Sequence, residues 1–124
     1  MSLTKVKIEE LQPSDVPRKK TLKYYSSLSF EELFNLSTKP QVWVTDLGLI
    51  VSDGNNYIFE SARRGLREIE VEINKEMKEY GFPTNETIID ATALREIGVK
   101  SCYDFFNIFP NDPRNNLPCF SYAV

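Results

Sequence analysis

Leu49-Ile50-Val51-Ser52-Asp53-Gly54-Asn55-Asn56-Tyr57-Ile58-Phe59-Glu60-Ser61-Ala62-Arg63-Arg64-Gly65-Leu66-Arg67-Glu68-Ile69-Glu70-Val71-Glu72-Ile73 decides the fold. It reads as a strand, an Asp-Gly turn, a short helix, a glycine and a second strand. Two readings compete for its last third. Leu66, Ile69 and Ile73 fall on one helical face, so residues 68–73 fit a long charged helix. Val71, at about 100° per residue, points away from that face. Strict alternation instead gathers Ile69, Val71 and Ile73 on one side of a strand and Glu68, Glu70 and Glu72 on the other. The β-branched residues agree with the strand. Gly65 then stands just past a helix C-terminus, where glycine is the usual residue. The expectation is a strand over 49–52, a helix within 55–64 and a strand over 68–73.

The turn between strand and helix carries the functional accent. Unpaired backbone N–H groups and the helix dipole favour an anion at a helix N-terminus. Here the turn delivers Asn55, Asn56 and Tyr57 to that end. Asp53-Gly54 read as a plain turn, with Asn55 as a cap, is the competing structural explanation.

Composition narrows the function classes. The chain has 124 residues, 15 basic and 18 acidic, for a formal charge of −3, with two cysteines and no histidine. A Ser-His-Asp triad is excluded, and Cys102 and Cys119 have no histidine with which to form a nucleophilic pair or a zinc cluster. No stretch approaches the roughly 18 apolar residues of a membrane span and no signal-peptide pattern opens the chain. The expectation is one soluble, cytoplasmic domain. Its charge is uneven: Arg18, Lys19, Lys20 and Lys23 form one basic cluster, and Arg63, Arg64 and Arg67 a second. Brought together, the two clusters would bind phosphates; kept apart, they are solvated faces.

Elsewhere, Lys5-Val6-Lys7-Ile8 alternates as a first strand, closed off by Pro13 and Pro17, with loop following. Ser29 and Glu32 make a capping box, with Leu28 and Leu33 as its hydrophobic staple. The short helix they start buries Phe30, Leu33 and Phe34 and ends at Lys39-Pro40. Val42-Trp43-Val44-Thr45 is a strand turning through Asp46-Leu47-Gly48. Asn74 caps a helical turn through Tyr80, stopped by Gly81. Thr84 or Asn85 starts another helix, with Ile88, Ile89, Thr92, Ala93, Leu94 and Ile97 as its apolar face and Gly98 as its end. Ser101 with Asp104 resembles a further N-cap, feeding Phe105, Phe106, Ile108 and Phe109 into the core. Residues 111–118 read as loop and 119–124 as a final strand.

The order of these elements and their residues resembles the ParB/sulfiredoxin-like domain. Val6-Lys7-Ile8-Glu9-Glu10-Leu11-Gln12-Pro13 followed by Pro17-Arg18, the helix around Phe30 to Leu36, and the run from Leu49 to Ile73 carry the resemblance. It spans the first three-fifths of the chain. It implies an α+β fold with a small mixed sheet and short helices, a core over 1–76, and a helical C-terminal extension over 77–124 packed on the same domain. It implies a nucleotide or nucleic-acid phosphate held by Arg18, Asp53, Gly54, Asn55, Asn56, Tyr57, Arg63 and Arg64. No metal, cofactor or catalytic residue is assigned beyond that nucleotide.

This chain departs from the family where chemistry would sit. Family members place a histidine or acidic residue followed by arginine after the turn, where Asn56 and Tyr57 stand here. Sulfiredoxins carry a catalytic cysteine in the turn, and both cysteines here lie far downstream. The helix-turn-helix and dimerisation domains of ParB-type partition proteins have no room in this chain. Three functions follow in competition: a phosphate-binding module without catalysis, an interaction protein of a phage or other mobile element, and a small nuclease or phosphotransferase with Asp53 at a metal and Glu60 as base.

Overall fold

A computed structural model describes residues 3–36, 38–74 and 85–108. The elements are β1 (Leu3–Lys7), a 3-10 turn (Ile8–Glu10), β2 (Leu11–Gln12), α1 (Lys19–Ser26), α2 (Phe30–Phe34), β3 (Gln41–Thr45), β4 (Gly48–Asp53), α3 (Asn55–Arg63), β5 (Glu68–Asn74), α4 (Asn85–Glu96) and α5 (Tyr103–Ile108). The fold is α+β, and its five strands form one mixed sheet in the order β1-β5-β3-β4-β2. β1 runs antiparallel to β5 and β3 antiparallel to β4, while β3–β5 and β2–β4 are parallel. No helix among the described residues is long and apolar enough to cross a membrane.

Alternation decided β5 as expected. Ile69 and Val71 are buried and Glu68 and Glu70 exposed, so one face of the strand is in the core. A helix through this segment would have turned Val71 outward. Glu72 is anchored sideways: its N–H donates to the Pro40 carbonyl at 2.9 Å, and its carboxylate accepts from Gln41 Nε2.

α3 is the centre of the molecule. Six consecutive residues, Tyr57 to Ala62, are buried, which a helix achieves only when packed on more than one side. Ile58, Phe59 and Ala62 join Val42, Val51, Ile69 and Val71 of the sheet in one core with Leu22 of α1. The Phe59 ring lies 5.0 Å from Phe106 and 6.1 Å from Phe105, tying α3 to α5. Leu94, Val99, Cys102 and Phe105 belong to the same core. Gln12 adds polar stitching: buried, its Nε2 faces the carbonyls of Pro13, Ala91 and Val99 at 3.0, 3.3 and 2.9 Å.

Several details differ from the sequence reading. β1 starts at Leu3 and stops at Lys7, with Ile8 turning inward to open the 3-10 turn, fully buried. The stretch after Pro17, expected as loop, is the helix α1; among its described side chains only Leu22 is fully buried, too sparse a stripe to read as a period. The capping box of α2 forms as expected, Ser29 Oγ accepting from Glu32 N and Glu32 Oε1 from Ser29 N, but the helix ends at Phe34, five residues before Lys39. Phe30, expected inside, is half exposed.

In α4 the expected apolar face is corrected. Ala91 and Leu94 point inward, whereas Ile89 and Ile97 are 63% and 64% exposed. Asp104, rather than Ser101, supplies the capping side chain before α5, accepting from the N–H groups of Lys100 and Ser101. The expected helical turn after Asn74 and the features from Phe109 onward lie outside the described residues; Asn74 itself closes β5.

Candidate functional site

The site begins at a backbone constraint. Gly54 takes φ +97° at the N-cap of α3, a left-handed conformation that L side chains rarely adopt. Space excludes a side chain as well: a Cβ there would lie 2.8 Å from Pro40 Cα. Because the N-cap is glycine, no side chain supplies the cap hydrogen bond that Ser, Asp or Asn normally would. The first-turn N–H groups and the positive end of the dipole therefore face a polar cleft of about 370 Å³.

The two asparagines do not aim their oxygens into that cleft. Asn55 Oδ1 accepts from the Ser14 N–H at 3.0 Å, and its Nδ2 donates to Ser14 Oγ at 3.2 Å. Ser14 Oγ in turn donates to the Val51 carbonyl. Asn56 Oδ1 accepts from the Arg18 N–H at 2.7 Å. Each amide thus holds one backbone N–H of the 13–18 loop against the first turn of α3, and the Asn56 amide N–H2 has no partner among the described residues. Asn55 uses both ends of its amide, accepting from the Ser14 N–H and donating to Ser14 Oγ, which a carboxylate could not do; Asn56 contributes only its acceptor to the clamp.

The clamp also sets Arg18. Its guanidinium donates to Asp15 Oδ2 at 2.9 and 3.2 Å, and the pair is half exposed. Asp15 Oδ1 accepts from Val16 N, which fixes the carboxylate as an arm of the loop. Such an exposed pair is weakly held, so the guanidinium is free to exchange partners.

Of the expected site residues, the structure brings Arg18, Asp53, Gly54, Asn55 and Asn56 together around the cleft. It places three elsewhere. Tyr57 is buried against Tyr25, ring centroids 6.1 Å apart, and borders a separate hollow with Lys5, Phe34 and Lys39. Burial, then the charge of Glu70, pushes its hydroxyl pKa up. Arg63 and Arg64 turn to the buried Glu60 instead. Arg63 donates to both of its carboxylate oxygens and Arg64 Nε to one at 2.6 Å; Arg64 Nη2 also reaches the carbonyls of Tyr25 and Leu28. The Glu60 hydrogen bond holds Arg63's pKa above its ordinary value. Arg67 lies over the Tyr103 ring, 4.9 Å from its centroid. The second basic cluster therefore holds the fold together and does not join the first at the turn.

Sequence reasoning missed Ser14, Asp15, Ser52, Thr87 and Asp90, which complete the lining. Ser14 and Asp15 sit in a Pro-flanked loop with no motif around them. Thr87 and Asp90 are three apart on α4, a spacing that places them on one helix face but says nothing of what that face meets. Asp15, Asp53 and Asp90 give the cleft three carboxylates to one guanidinium. Among the described residues no three His, Cys, Asp or Glu side chains are placed to share a metal ion. Compared with family models, curated proteins and solved structures, the chain matches none.

Proposed function

We propose that this chain is a non-catalytic binding module of the ParB/sulfiredoxin-like type, holding a nucleotide or nucleic-acid phosphate at the N-terminus of α3. The observation that carries this reading is the uncapped first turn of α3 opening on a cleft that also contains the Arg18 guanidinium. Backbone N–H groups need no charge to grip a phosphate oxygen, and Arg18 supplies the charge by leaving Asp15. The Asn56 amide adds a third donor.

Catalysis has little support from the side chains. Glu60, the candidate base, is 1% exposed with both carboxylate oxygens taken by arginines. Cys102 is buried in the core, where loss of hydration pushes its thiol pKa strongly up, so it is a poor nucleophile. With no histidine in the chain, no side chain has an ordinary pKa near 7 for general acid–base work.

A second reading rests on a different surface. Val44, Leu47 and Ile88 line an apolar groove of about 420 Å³ between the β3–β4 hairpin and α4, and Ile89 on α4 and Ile97 just past its end stand exposed. That surface suits an accessory protein that acts through a protein partner. Amide-resolved NMR titration with inorganic phosphate and ATP separates the two. The binding-module reading expects saturable shifts at Gly54, Asn55, Asn56 and Tyr57; a molecule unmoved by either ligand leaves the interaction reading in place.

A further inference from the structure

The cleft does not end at Arg18, because Arg18 is also the N-cap of α1. From there the outward face of α1 presents Lys20, Lys23, Tyr24 and, just past its end, Ser27, all exposed at positions i, i+3, i+4 and i+7. Leu22 points inward and is fully buried, fixing which way the helix faces. No acid lies in the first turn of α1, and Lys20 and Lys23 make no salt bridge among the described residues. Tyr24 is 54% exposed, its ring supported from behind by Tyr25 at 5.6 Å.

Tyr25 in turn packs on Tyr57, which holds α1 against α3, and Arg18, both N-cap of α1 and part of the cleft lining, joins the helix to the cleft. Unpaired cations beside an exposed aromatic ring, continuous with a phosphate-sized donor cluster, have the chemistry of a single-stranded nucleic-acid track. The cations follow the backbone and the ring stacks a base. A duplex would leave the ring without an unstacked base, and a free nucleotide would leave the lysines without a phosphate.

We propose that the ligand is single-stranded nucleic acid, its backbone entering at the α3 N-terminus and continuing along Lys20 and Lys23 with one base on Tyr24. The proposal rests on the phosphate reading of the cleft and names the ligand for it.

Fluorescence anisotropy at low salt, with a short labelled oligothymidylate and with a labelled thymidine mononucleotide, tests it. The oligonucleotide is expected to bind about tenfold tighter or more, with affinity falling steeply as salt rises. Lys20→Glu with Lys23→Glu should weaken the oligonucleotide about tenfold while moving the mononucleotide less than about twofold. Tyr24→Ala should weaken the oligonucleotide about fivefold or more at an unchanged salt slope. These residues are exposed, and unchanged thermal melting confirms that each variant is folded.

Equal affinity for both ligands, or charge reversal that weakens both alike, overturns the track and leaves the phosphate site standing. Binding of neither overturns the site and the track together. Tighter binding of the matching duplex, or of vesicles rich in anionic lipid, overturns single-stranded nucleic acid as the occupant.

Discussion

Arg64 Nε lies 2.6 Å from a carboxylate oxygen of Glu60, one helical turn earlier, and both side chains are out of water, 9% and 1% exposed. The same guanidinium donates to the carbonyls of Tyr25 and Leu28 at 2.8 Å and covers the Phe30 ring. The C-cap residue of α3 thereby satisfies the C-terminal end of α1 and the approach to α2. Removing one partner of a buried, fully bonded pair leaves the other charge uncompensated, at a cost of roughly 3 kcal/mol or more. Glu60→Gln should lower stability by about that amount in urea denaturation. A loss below about 1 kcal/mol would show that the pair is solvated and the clip between the helices weak.

Gly54 and Gly65 both take positive φ, +97° and +94°, yet only Gly54 is crowded. Alanine at Gly65 meets open space and should cost only the conformational strain, about 1 kcal/mol. At Gly54 the new Cβ would also collide with the backbone of Pro40, whose carbonyl holds Glu72 of β5. Gly54→Ala should therefore destabilise by about 2 kcal/mol or more and shift the amide signals of β5 as well as those of α3. Equal effects at the two glycines would argue that the turn and the sheet are not in register through Pro40.

The contrast between what was legible and what was not follows from locality. Ile69-Glu70-Val71 sits in an alternating pattern that only a half-buried strand satisfies, so β5 could be read from the residues themselves. The Ser29–Glu32 box is likewise a short-range device, and its two hydrogen bonds are both present. Glu60 and Arg64 four apart suggest a pair, but nothing in their spacing says that Arg63 shares the carboxylate and that the turn before α3 loses both arginines. Asn55 and Asn56 were visible as polar residues at a helix start. Their partners, Ser14 and Arg18, lie about forty residues away, and only the fold brings the two asparagines onto that loop as a clamp.

That clamp changes what Asn56→Ala should do. Losing the acceptor frees the Arg18 N–H, so the variant should lose about 1 kcal/mol of stability as well as phosphate affinity. Arg18→Ala leaves the backbone bond intact and removes an exposed pair, so stability should move by less than about 1 kcal/mol while phosphate affinity falls by roughly 1.5 kcal/mol or more. Thermal melting and phosphate titration on both variants check the order. If Asn56→Ala leaves melting untouched, the 2.7 Å bond to the loop is not holding it.

Acid should loosen the start of α2. The Ser29 backbone N–H and hydroxyl hold the Glu32 carboxyl below its ordinary 4.5. The unfolded chain then binds more protons than the folded one in that range, so stability rises with pH there. The contribution is present above about pH 4.5 and is lost as pH falls through the lower folded value. The advantage of the wild type over Glu32→Ala in thermal melting should shrink on acidification through this window. Ser29→Ala should cost about 1 kcal/mol at neutral pH.

The cleft's own carboxylates supply the sharpest test of its polarity. Asp15, Asp53 and Asp90 line it with Arg18, and a phosphate seated on the first turn of α3 would meet all four. A like charge across a solvated cleft costs on the order of 0.5 kcal/mol at the separations such a cleft allows. Asp90, exposed on α4, has no hydrogen bond or ion pair holding it among the described residues, so neutralising it should leave the fold unchanged. Asp90→Asn should accordingly tighten phosphate or nucleotide binding about twofold at low salt, a gain that shrinks as salt rises. Asp15→Asn should tighten it further, since it both removes a charge and releases Arg18 from its internal partner. Calorimetric titration of the two variants reads both effects. Weaker binding in Asp90→Asn would mean that the carboxylates hold the ligand, and that a cationic or hydroxyl-bearing molecule, not a phosphate, belongs in the cleft.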